Sequence, residues 1–136
     1  MKRRVSMALI SELWLLGIAY STILLPHAIG AAGPANGNAV NGKVLFEKRC
    51  TGCHSLDKNK EGPRLRGVYG RQAGSIPDFA YSDELKGSKI MWNGETLDRW
   101  LSNPEVMLPN TDMAFHVSNS QERADIIEFL RVSSGK

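Results

Sequence analysis

Both cysteines of this 136-residue chain stand in one short run that a histidine follows at once, Cys50-Thr51-Gly52-Cys53-His54. A disulfide closed over so short a loop constrains little of the unfolded chain, so the thiols are not spent on stapling the fold. On a helix, positions i, i+3 and i+4 share a face, which sends Cys50, Cys53 and His54 the same way from a single turn. Three chemistries use two thiols and an imidazole. A structural zinc site needs four ligands, and His116 is the one further histidine outside the N-terminal segment. It is a lone histidine, without the paired spacing of a finger. A redox Cys-x-x-Cys normally sits at a strand–helix junction, and no strand pattern is visible. Cys-x-x-Cys-His is also the signature of c-type haem attachment. Each sulfur adds to one vinyl group to form a thioether, and the histidine reaches the iron from one side of the ring.

Haem iron has a sixth position, for which Met91, Met107, Met113 and His116 are the candidates. A methionine is usually core filler. Met113 differs in its surroundings, "LPNTDMAF", where Pro109 and Thr111 stiffen a loop able to hold a thioether against the metal. Such a soft ligand raises the reduction potential.

The N-terminal residues follow a different plan. Met1–Arg4 is basic, Leu13–Leu25 is apolar, and small residues follow Pro26. That order predicts a secretory signal peptide over residues 1–30, cut after Gly30, with Ala32 or Ala35 as other cut positions. The rival reading is an uncleaved membrane anchor, for which an apolar run of 13 residues is short of the roughly 20 a span needs. Residues 31–41, rich in Ala, Gly and Asn, read as a linker, which leaves 42–136 as the domain. Export would take most of the net charge of +3 away with the signal, leaving about +1; the basic pI therefore points to no nucleic-acid partner. Gly42–Arg71 carries eight Lys/Arg against three Asp/Glu, and Gln72–Lys136 six against ten. That asymmetry suggests an oriented docking surface.

The spacing of apolar residues predicts an all-α chain with long loops. Helices are expected from Asn41, as cap, to about Cys53; at Ser82–Lys86; at Glu95–Ser102, closed by Asn103-Pro104; and at Gln121–Val132, with Ser118 and Gln121 as a capping box. On the last of these Ala124, Ile127 and Leu130 share a face, with Ile126 and Phe129 beside it. Ser55–Ser75, punctuated by Gly62, Pro63, Gly67, Gly70 and Gly74, reads as loop, and Leu108–Val117 as irregular. Loops this long need something to pack on.

From about Val40 to Val132 the chain resembles a class I cytochrome c of the mitochondrial and alphaproteobacterial type. The resemblance is carried in order by "CTGCH", "GPRLRGVYGRQAG", "DFAYSDE", "MWNGETLDRWLSNP", "LPNTDMAF" and "ERADIIEFL". It implies three to four main helices with long loops wrapped around one haem c, held covalently by Cys50 and Cys53 with His54 and Met113 as axial ligands. Pro63 would accept the other ring N–H of His54. Arg71, Tyr81 and Trp92 would surround the buried haem propionates, Thr111 would belong to the methionine loop, and Phe115 would cover the haem crevice. Gly42 and Phe46 would meet the C-terminal helix at Ile126 and Phe129.

The family implies a soluble, monomeric periplasmic electron carrier rather than an enzyme. It would dock transiently on membrane complexes of a respiratory or photosynthetic chain. A quinol–cytochrome c oxidoreductase would be the donor; a terminal oxidase, a reductase or a photosynthetic reaction centre would be the acceptor. The chain departs from the family pattern at Trp100, where a tyrosine hydroxyl usually meets the methionine sulfur, and at Leu85, where an asparagine often holds a water. Both departures suggest less polar, or at least different, surroundings for the ligand. The methionine loop carries Glu105 and Asp112 and no lysine, whereas Lys48, Arg49, Lys58 and Lys60 lie elsewhere. That suggests docking on a lopsided basic patch.

Overall fold

The structure, a computed structural model, describes residues 36–136. The expected signal peptide, its cut positions and residues 31–35 of the expected linker lie outside the described residues. Five helices follow in order: α1 (Ala39–Arg49), α2 (Asp83–Gly87), α3 (Gly94–Ser102), α4 (Pro104–Met107) and α5 (Ser120–Ser133).

The fold is closed by α1 against α5. Gly42 makes that crossing possible: a Cβ there would lie 1.9 Å from the Asp125 carbonyl oxygen and 2.9 Å from Phe129 Cβ. With nothing in the way, Phe46 packs on Phe129 at a ring separation of 5.2 Å, and Phe46 and Ile126 are buried at the crossing. The expected pairing of Gly42 and Phe46 with Ile126 and Phe129 is therefore found. The start of α1 differs from expectation. Asn38, not Asn41, is the cap; its side-chain oxygen accepts from Val40 N (2.9 Å) and Asn41 N (3.0 Å). Asn38 N in turn donates to the buried Asp125 carboxylate at 2.8 Å, and Gln121 donates to the same oxygen at 2.9 Å. This contact with α5 decides among three nearby asparagines, and it makes Ala39–Asn41 helical where a linker was expected.

α1 also ends earlier than expected, at Arg49. Helical spacing nevertheless continues through Cys50–His54, because Cys53 N (3.2 Å) and His54 N (2.8 Å) both donate to the Cys50 carbonyl. α3 begins with a reciprocal capping box between Asn93 and Thr96, and Leu97, Trp100 and Leu101 form its buried face. Asn103 closes α3 and also caps α4, a short helix not expected from the sequence, by accepting from Val106 N at 3.1 Å; Pro104 sits at its first position, where no N–H is needed. α5 is capped by Asn119, whose side chain accepts from Gln121 N and Glu122 N. Ser118, the expected cap, gives its carbonyl to Arg123 instead. Arg123 also bonds Asp98 at 2.6 Å and so ties α5 to α3.

Residues 55–75 form the expected loop. Gly74 takes a positive φ of 66°, and a Cβ there would meet the Leu85 carbonyl at 2.6 Å. The loop gains one sheet-like contact, a bridge between Gln72 and Met91, flanked by Ala73 N→Ile90 O (2.9 Å) and Trp92 N→Arg71 O (2.9 Å).

Candidate functional site

The helices and the long loop enclose a cavity of about 490 Å³. Phe46 of α1, Leu97, Trp100 and Leu101 of α3, and Ile126 and Leu130 of α5 wall it, with Leu65 and Val68 from the loop. Of these, Phe46, Ile126 and Leu130 are expected from the sequence on packed helix faces, and all three are buried; the middle of that core is this cavity. Protein interiors are close-packed, with few voids larger than a water molecule. An apolar cavity this size in so small a domain calls for a large apolar group to fill it.

Cys50, Cys53 and His54 all line the cavity. Cys50 is partly buried, and burial pushes its thiol up to about 11, so it is protonated at neutral pH. Cys53 is exposed at the mouth, its sulfur 3.6 Å from a Glu61 carboxylate oxygen. His54 Nδ1 is 2.8 Å from the Pro63 carbonyl. A carbonyl only accepts, so Nδ1 carries the proton and Nε2 keeps its lone pair. Burial holds the imidazole below its ordinary pKa, which favours that neutral form. Gly62 gives the ring its place, since a Cβ on residue 62 would lie 2.3 Å from His54 Cε1.

Of the four candidates for a sixth ligand, Met113 alone lines the cavity. Met91 is exposed against the bridge, Met107 packs at the edge of the core, and His116 is exposed. The indole Nε1–H of Trp100 donates to Met113 Sδ at 3.1 Å. This corrects the expectation that Trp100 makes the sulfur's surroundings less polar: the indole supplies a donor from the position where the family pattern has a hydroxyl. Leu85 lines the cavity as an apolar group.

Arg71, Tyr81 and Trp92 all face the cavity. Arg71 is held by the carbonyls of Arg64 and Arg66, both at 3.0 Å, and burial lowers its pKa. Burial raises that of Tyr81. Trp92 is buried and meets Trp100 edge to face at 5.3 Å. Thr111 and Phe115 line the cavity, Phe115 with 43% of its surface exposed. A large apolar group with anionic substituents fits this lining. Among the described residues no three His, Cys, Asp or Glu side chains are grouped to hold a bare metal ion, which leaves the zinc reading without a fourth ligand or a cluster.

Half of the expected basic patch is already engaged. Arg49 pairs with Glu122, and Lys60 Nζ is held by the carbonyls of Thr51 and Gly52. Other cations of the same half of the chain are paired as well: Lys43 with Glu47, Arg64 with Asp78 and Arg66 with Asp57.

Few helices, long loops and an apolar cavity beside a Cys-x-x-Cys-His turn define a small protein that holds one large prosthetic group at its core. The cytochrome c family model matches residues 39–134, and the chain belongs to that family. It is 44% identical over 98 residues to cytochrome c of Euglena viridis, covering 70% of this chain and 96% of that protein. It is 42% identical over 106 residues to cytochrome c of Stellaria longipes, covering 75% and 98%. Among solved structures, cytochrome cH from Methylobacterium extorquens matches with a TM-score of 0.67 at 38% identity, over 71% of this chain and 99% of that one. Cytochromes c are electron carriers rather than enzymes, with one covalently attached haem c per chain, and this chain is a monohaem electron carrier of that kind.

Proposed function

We propose that the protein is an exported, periplasmic carrier whose haem is bonded through Cys50 and Cys53 and ligated by His54 Nε2 and Met113 Sδ. The observation that carries this is the convergence of these four side chains on one apolar cavity. Bound haem c supplies a one-electron iron couple. Pro63 holds His54 in the tautomer with Nε2 free, and Trp100 holds Met113. Arg71, Tyr81 and Trp92 stand where they would receive the propionates, burial of which needs such donors, while Thr111 and Phe115 close the methionine side. Two filled axial positions leave no site for substrate and direct the protein to electron transfer.

The basic-apolar-small order of residues 1–30 supports export, and among the described residues no helix is long and apolar enough to cross a membrane. The partners that follow are a quinol-oxidising complex as donor and a terminal oxidase, reductase or photosynthetic reaction centre as acceptor.

The test is a visible spectrum of protein co-expressed with a haem-attachment system. Covalent low-spin haem with a weak far-red sulfur-to-iron band in the oxidised form is the expected result; a high-spin spectrum would sink the Met113 assignment. Trp100 adds a graded test. A donor on the sulfur withdraws electron density and disfavours ferric iron, so Trp100→Phe lowers the potential. A hydrogen bond is worth about 1 kcal/mol net, and about 59 mV is a tenfold change for one electron, so the shift is on the order of tens of millivolts. Potentiometry showing no shift, or a rise, would rule out this role for the indole.

A further inference from the structure

Phe79, Ala80 and Tyr81 wall the end of the cavity where Arg71 stands, yet residues 77–81 belong to no helix. The rings of Phe79 and Tyr81 meet edge to face at 4.7 Å. Among the described residues, every hydrogen bond that ties this stretch to a distant part of the chain ends on Asp78. Arg64 Nη1 donates to both Asp78 carboxylate oxygens at 2.7 Å, and Asn59 Nδ2 donates to the Asp78 carbonyl at 3.0 Å. Asn59 Oδ1 also accepts from Arg64 N at 3.0 Å, which closes the three residues into a ring. Arg64 follows Pro63, whose carbonyl accepts from His54, and its own carbonyl accepts from Arg71 at 3.0 Å. The Arg64 guanidinium holds the Asp78 carboxyl below the usual carboxylate range, so it is ionised at neutral pH. An exposed ion pair adds little to global stability, and the Asp78 side chain is 62% exposed. The leverage of this pair is local. It tethers a wall that has no other hydrogen bond to a remote segment, and stretches held by few contacts open well below the free energy of global unfolding.

We propose that Arg64 and Asp78 are positioning residues for electron transfer: their pair latches residues 77–81 to the loop that orients His54, keeps water from the Arg71–Tyr81 end of the prosthetic group, and so raises its reduction potential. The proposal rests on the electron-carrier reading. Water at a redox centre favours the more highly charged oxidised state, and a dry shell favours the reduced one.

Two opposed signs make the test decisive. Loss of a carboxylate by its charge alone would raise the potential, because it removes a negative neighbour of the oxidised iron; entry of water lowers it. Asp78→Asn in haem-loaded protein, verified by its spectrum, therefore lowers the midpoint. At a fixed ambient potential the ratio of reduced to oxidised protein falls about threefold, or roughly 30 mV at about 59 mV per tenfold. Amide hydrogen exchange of residues 78–82 quickens severalfold, while that of α1 and α5 is unchanged. Asp78→Glu, which keeps the charge, stays close to the parent in both readouts. A midpoint that rises or stays in Asp78→Asn, exchange at 78–82 that does not quicken, or an Asp78→Glu that behaves like the amide overturns the latch alone. A chain that carries no covalent haem overturns the carrier reading, and the latch with it.

Discussion

Replacing Gly42 by alanine costs the haem-loaded protein about 3 kcal/mol or more, toward the upper end of what inserted core carbons do. The new Cβ would occupy a point 1.9 Å from the Asp125 carbonyl oxygen and 2.5 Å from its carbon. Neither is the far end of a flexible side chain, so α1 and α5 must move apart by more than an ångström. The Phe46–Phe129 contact, at 5.2 Å between rings, and the close cover over Ile126, 1% exposed, go with them. Against a total stability of roughly 5–15 kcal/mol for a small domain, that is a large share. Urea denaturation followed by the visible spectrum and by circular dichroism measures it. A loss below about 1 kcal/mol would mean that the two helices do not cross at this residue.

Met113→Ala has the largest effect on the iron. The far-red band disappears, the ferric spectrum becomes high-spin or shows water at the sixth position, and the potential falls by on the order of 100 mV or more, part of the roughly 0.8 V range that axial ligands span. Added imidazole then binds, where the parent protein resists it. Met91→Ala and Met107→Ala are the matched controls and leave all of these unchanged, because neither side chain lines the cavity. If Met113→Ala keeps the low-spin spectrum without added ligand, another group of the chain holds the iron and the methionine assignment is lost.

The parts of this molecule readable from sequence are those in which a short run acts by itself. Cys50, Cys53 and His54 keep helical spacing past the end of α1, since His54 N still reaches the Cys50 carbonyl. The close of α3 at Asn103-Pro104 is likewise local and falls where the sequence puts it. The apolar stripe of α5 predicts its buried Ile126, Ile127 and Leu130. Where two remote segments decide, local pattern fails. Asn38 is chosen over Asn41 because Asp125 bonds its backbone. Ser118 loses the α5 cap to its neighbour Asn119, whose side chain accepts from Gln121 N and Glu122 N. α4 is too short to show a period, though Asn103-Pro104 is a helix start as much as a helix stop. Trp100 reads as a loss of polarity because residue type does not reveal where the indole N–H points. The charge asymmetry is legible, but not its partial cancellation, which depends on Arg49 finding Glu122 across the fold.

Cys50 closes α1, and α1 is held by α5, a helix from the other end of the chain. In the folded protein that cysteine lines the pocket, its thiol burdened by desolvation. A disturbance at the far end of the chain therefore reaches this cysteine through one helix, and a run that looks self-contained in the sequence owes its position to residues that the sequence never brings near it.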